Sequence, residues 1–147
     1  MRVMTTVPTA RLARPVRGVK VHSPWTVGAC VPTFGRVELD FEPLPAGVAS
    51  TVEFACTARP EPAPEFEEFL VRGVLQELAA ENTEDPAAHR GVPVNARVVV
   101  RAMSWHEVET CERVFLRLGA LAAREALRCV AEDRAPQLLE TRVRLFF

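Results

Sequence analysis

The chain is predicted to fold as an α+β domain, a sheet covered on one face by two helices. Three observations predict this. Segments at 36–43, 51–57 and 94–102 alternate apolar and polar residues, as strands with one wet face do. The segments 59–81 and 108–132 repeat apolar residues at helical spacing, and each is too long for a strand. No repeat, low-complexity run or linker separates two cores. One domain, 16–147, is therefore expected behind a basic, flexible arm at 1–15, since 147 residues with 48% hydrophobic content suit a single buried core.

Val19 and Val21 within RGVKVHS mark a first strand. In RVELDFEP, Val37, Leu39 and Phe41 alternate with Glu38, Asp40 and Glu42, and Val52, Phe54 and Cys56 repeat the pattern. The connection LPAGVAS carries Pro45 and Gly47, which predicts that these two strands form an antiparallel hairpin with a longer loop. Pro60, Pro62 and Pro64 lead into the first helix, where a missing N–H is tolerated, and Glu65, Glu67 and Glu68 favour its positive end. Phe66, Phe69, Leu70, Val74 and Leu78 form its apolar face. VNARVVVRAM then sets Val94, Ala96, Val98, Val100 and Ala102 against Asn95, Arg97 and Arg101 as a strand.

From Val108 to about Glu132, the residues Cys111, Val114, Phe115, Leu118, Ala122, Ala126 and Cys129 fill one arc of a second helix. Leu116, Ala120, Ala123 and Leu127 form a second apolar ridge; it suits packing against the first helix or a dimer seam. Arg113, Arg117, Arg124 and Arg128 fall within about 60° of one another on the opposite side. The i,i+4 like-charge pairs in this stripe repel, so acids from the neighbouring helix or a polyanion must neutralise it. Beyond Pro136, LLETRVRLFF alternates as a last strand, with Leu139, Thr141, Val143 and Leu145 on one side. Its apolar end is expected to pair with the sheet or cover an apolar edge.

Charge is unevenly placed. Residues 1–37 carry Arg2, Arg11, Arg14, Arg17, Lys20 and Arg36 and no acid, leaving 12 of the 18 bases to face all 19 acids. A basic arm can track phosphates or remain solvated. Cys30, Cys56, Cys111 and Cys129 are widely spaced with no C-x-x-C pair, which suits free thiols better than a disulfide or zinc site. No apolar run is long enough for a membrane span or a secretory signal, so a cytoplasmic location is expected.

Few residues invite chemistry. A histidine beside a helix-start thiol could act covalently, yet His106 and Cys111 are five residues apart and Cys111 lies on the core arc. His22, His89 and His106 lack metal-ligand spacing. The phosphate-loop, dinucleotide, zinc-protease and nucleophile-elbow motifs are all missing. No enzyme activity, metal, cofactor or nucleotide is expected.

From about Gly35 to Glu140 the chain resembles domain IV of the ribosomal translocase elongation factor G, a domain also found in tetracycline ribosome-protection proteins. The family's Y-H-D-V-D-S-S-E-x-A-F stands here as WHEVETCERVF, with Trp105 for the tyrosine, His106 and Val108 kept, and Glu107 and Glu109 for the aspartates. Thr110 and Cys111 replace the serines, and Glu112 and Phe115 are kept. Gly91, Val92, Pro93 and Val94 match the family's G-x-P-V; Ala122, Arg124, Glu125 and Arg128 match its basic, alanine-rich helix. Pro136 to Glu140 match its P-x-L-L-E.

The resemblance implies a ribosomal-protein-like fold, a four-stranded sheet carrying two helices with a left-handed βαβ crossover, here with an extra C-terminal strand. Pattern alone would favour the right-handed form. It also implies that the histidine loop and the loop after the first strand form a tip that enters the decoding centre of the small ribosomal subunit. The second of these departs from its family. HSPWTVGACVPTFG keeps Gly28, Phe34 and Gly35 but loses the glutamines and gains Trp25, Val27, Val31 and two prolines. The GTPase domain and the domains flanking domain IV have no counterpart in this sequence.

The function expected is a noncatalytic, translation-related module that binds the ribosome or structured RNA without GTPase activity. The residues expected to carry it are Trp25, Gly28, Trp105, His106 and Glu107 at the tip loops and Arg113, Arg117, Arg124 and Arg128 on the basic face. The alternative is a protein-interaction or self-association module, a homodimer included, that reuses the scaffold through its apolar loop.

Overall fold

A computed structural model describes residues 9–24, 34–56, 64–80, 92–105 and 112–141 of the chain. Its elements are β1 (Ala10–Arg11), β2 (Val16–Ser23), β3 (Gly35–Pro43), β4 (Thr51–Phe54), α1 (Pro64–Leu78), β5 (Val94–Ser104), α2 (Glu112–Glu132) and β6 (Leu139–Glu140). Six strands share one sheet in the order β1-β5-β3-β2-β6, with β4 also on β5. Both β1 and β4 pair with β5 in parallel, at Val94–Asn95 and at Arg97–Val100 respectively. The mixed α+β class is as the sequence predicts, with more strands than the four-stranded sheet implied by the resemblance.

The central strand is β3, antiparallel to β2 on one side and to β5 on the other. Val37, Leu39 and Phe41 are buried on its helix side. The expected hairpin between 36–43 and 51–57 does not form. β5 takes the edge of β3, in register from Arg36↔Ser104 to Pro43↔Ala96, and β4 joins β5 from the far side. The physical reason is length and burial: the 11-residue β5 carries fully buried Ala96, Val98 and Val100, whereas β4 has four residues, none of them fully buried. A short, half-exposed strand belongs at an edge. Ser50 leads β4 there, its Oγ accepting the Ala96 N–H at 3.1 Å.

Residues 10–14, expected in the free arm, pack onto the domain. Ala10 N–H donates to Pro93 O at 2.7 Å, and Leu12 is buried in the core. The Arg14 guanidinium donates to the carbonyls of Cys129 and Arg134 at 2.7 and 2.9 Å, satisfying acceptors at the C-terminus of α2. A lone leucine has no period, so no sequence pattern marks this docking. Residues 1–8 lie outside the described residues.

Both helices lie on one face of the sheet, and α1 connects the parallel pair β4 and β5. They run side by side in the same direction: Leu70 meets Gly119, Gly73 meets Leu116 and Ala120, and Glu77 meets Arg124. Two glycines permit the close approach. A Cβ at Gly73 would lie 2.0 Å from the Leu116 carbonyl oxygen, and one at Gly119 would lie 2.5 Å from that of Leu70. The ridge expected to pack on the first helix does so here, with Ala120 and Ala123 buried.

The other sheet face is a lattice of opposite charges, as expected. Arg97 holds Glu53 through two bonds of 2.9 and 3.0 Å and Glu42 through one of 3.1 Å, while Arg101 pairs with Asp40 at 2.9 Å. Val99, on this face opposite Asp40, is only 3% exposed. Gly18, at φ 71°, makes the bulge where the β2 register shifts; its N–H donates to the second oxygen of Asp40 at 2.9 Å.

The C-terminal strand expected from the alternation is present in its first residues. Leu139 and Glu140 pair in parallel with Val21 and His22, and Thr141 N–H donates to His22 O at 2.8 Å. Residues 142–147 lie outside the described residues. Cys56 and Cys129 are free thiols; Cys30 and Cys111 lie outside the described residues. Among the described residues, no helix is long and apolar enough to cross a membrane.

Candidate nucleic-acid interface

The strand registers fix where the two candidate loops begin. Ser23 is paired with Gly35, and the neighbouring Arg36 is paired with Ser104. The end of β2, the start of β3 and the end of β5 therefore lie side by side at one end of the sheet. The segments 25–33 and 106–111 both leave from that end. Trp25, Gly28, His106 and Glu107 themselves lie outside the described residues.

Aromatic rings support both exits. His22 and Phe34 meet edge to face with centroids 6.0 Å apart. Trp105, half-buried against the core, meets Phe66 at 5.9 Å, and Phe66 in turn meets Phe115 at 5.3 Å. Trp105 thus ties the end of β5 to the first turns of α1 and α2. Its ring is committed to packing more than the sequence alone indicated.

The arginine stripe divides. Arg124 is buried, and its Nε donates to Oε1 of the fully buried Glu77 of α1 at 3.1 Å. For this residue the acid of the neighbouring helix is the partner, and Arg124 departs from the exposed basic face. Arg113, Arg117 and Arg128 are exposed and have no ion-pair partner among the described residues. Arg14, Arg17, Arg72, Arg97, Arg101 and Arg134 all make such pairs. Three arginines unmatched among the described residues thus line the outer side of α2, while Arg11 and Lys20 are likewise exposed and without an ion pair there. Arg36, exposed and unpaired among the described residues, adds to them at the loop-bearing end.

Between α2 and β6 lies an open groove of about 250 Å³. Arg117, Leu121, Arg124 and Arg128 line it from α2. Leu139, Glu140 and Thr141 line the other side. The sequence marks this second wall as a strand without naming its neighbour; the pairing of β6 with β2 brings it beside α2. Glu125 also borders the groove, but its carboxylate is occupied. Arg134 grips both of its oxygens at 2.8 and 2.9 Å, and Gln137 N–H donates to it at 2.8 Å. The Arg134 hydrogen bonds hold Glu125 below the ordinary glutamate range, against the opposing effect of burial. Burial and the neighbouring Glu125 charge push the Cys129 thiol up, which suits a packing role rather than a nucleophile.

No family model matches the chain, and no curated protein matches it. A solved protein of Thermus thermophilus is similar over 80% of this chain, at 22% identity and a TM-score of 0.47. The match spans 17% of that protein's length, one domain-sized part of a longer chain.

Proposed function

We propose that this chain is a noncatalytic, translation-related module, resembling domain IV of elongation factor G, that binds the ribosome or structured RNA without hydrolysing GTP. One observation carries the reading: the registers Ser23↔Gly35 and Arg36↔Ser104 bring the exits of both candidate loops to the same end of the sheet. A module that reads RNA with two loops needs both to emerge together on a rigid base. Arg113 and Arg36 at that end, without an ion-pair partner among the described residues, favour a polyanion. The left-handed turn of the β4–α1–β5 crossover and a cytoplasmic site of action belong to the same proposal.

Sedimentation with ribosomes across a salt series tests it. Binding through phosphates releases counterions, so log affinity should fall linearly with log salt, by about 0.7 to 0.9 per neutralised phosphate. A chain that stays in the supernatant at low salt contradicts the proposal.

A further inference from the structure

We infer that the groove between α2 and β6 is a second RNA-binding site, distinct from the loop-bearing end, which takes the backbone of a single strand. The inference rests on the RNA-binding reading above and assigns the phosphate-tracking work to a particular surface.

Three features of the groove point there. Its rim carries Arg117 and Arg128, both exposed and both without an ion-pair partner among the described residues. Their guanidinium groups can fork onto phosphate oxygens or stack on bases. Its wall is stiffened by Arg124, whose charge is matched by Glu77 at 3.1 Å, so the positive charge open to a phosphate is that of Arg117 and Arg128. Its apolar lining, Leu121 and Leu139, lies between these charges and offers a surface for a base or ribose. A groove of about 250 Å³ offers room on the order of one nucleotide, which favours a single strand laid along α2.

Continuity with the other site adds to the case. Exposed Arg113, Arg117 and Arg128 follow one side of α2 from its first turn near the Ser104 end of β5, over about 22 Å at 1.5 Å per residue. A strand held at the loops can therefore run on into the groove. Glu140 on the facing wall is exposed and opposes an anion. Removing its charge should strengthen binding, which a merely solvated arginine stripe would not show.

The test is fluorescence anisotropy of a labelled single-stranded oligouridylate with the full chain, alongside a duplex RNA and polyglutamate. The double variant Arg117→Ala/Arg128→Ala should weaken oligouridylate binding about tenfold or more and lower the log–log salt slope by about 1.4. Glu140→Gln should tighten it about twofold, and Arg72→Ala, which removes one positive charge from α1, should leave it unaltered. Ribosome sedimentation of the double variant runs in parallel. Wild-type chain that pellets with ribosomes but binds oligouridylate no better than its double variant overturns the groove and leaves the functional reading standing. Groove-dependent oligouridylate binding without any pelleting supports the groove and sinks the ribosomal reading. Equal affinity for duplex, or tighter binding of polyglutamate, overturns the groove.

Discussion

Arg124 and Glu77 form an ion pair between the two helices, Nε to Oε1 at 3.1 Å, with the Glu77 side chain fully buried. Removing one partner strands the other charge in the interior, which costs about 3–5 kcal/mol. Glu77→Leu and Arg124→Met should each lower unfolding stability by that order. The double variant should recover most of the loss, because an apolar pair of similar volume needs no desolvation of charge. Urea titrations of the three proteins would check it; additive losses in the double variant would refute it.

Gly73→Ala and Gly119→Ala should destabilise, although alanine in a helix normally gains about 1 kcal/mol over glycine. The new Cβ would meet a backbone carbonyl at 2.0 or 2.5 Å. No rotamer change can relieve that, so the helices must separate, at about 1–3 kcal/mol or more. The same substitution chemistry reversed should stabilise elsewhere. Ala80 and Asp133 hold positive φ of 58° and 49° just after α1 and α2, where glycine avoids about 1 kcal/mol of strain. Thermal melts of Ala80→Gly and Asp133→Gly should shift upward.

Acid should weaken the fold partly through Glu125. Its folded pKa lies below the ordinary 4.5 because Arg134 donates to both oxygens. Its stabilisation is therefore present above about pH 4.5 and is lost as pH falls through the lower folded value. Glu125→Gln should melt lower than wild type at pH 7, and the two curves should converge as pH falls through the lowered folded value. Parallel curves across that range would show that the Arg134 contact contributes little.

Much of the fold can be read along the chain because burial imposes a period. Val37, Leu39 and Phe41 on β3, Leu70, Val74 and Leu78 on α1 and Phe115, Leu118 and Ala122 on α2 are all buried, as their spacing predicts. Which strand pairs with which is less legible. Alternation shows that a strand has an inner face without naming its neighbour, so the pattern at 51–57 suggests a hairpin with β3 while the strand pairs with β5. Leu12 and Arg14 show the same limit, since single residues docking on distant elements leave no pattern. Within the candidate site, the helical stripe from Arg113 to Arg128 is visible at about 100° per residue. That Arg124 alone turns inward depends on Glu77, 47 positions away, and no helix wheel contains it.

The proposed binding to the small ribosomal subunit can be checked by sedimenting the chain with isolated small and large subunits at low and physiological salt, beside His106→Ala/Glu107→Ala. Salt-dependent pelleting with the small subunit, little with the large, and a loss of about tenfold in the double variant are expected. Equal pelleting with both subunits, or undiminished pelleting of the double variant, would contradict the proposal.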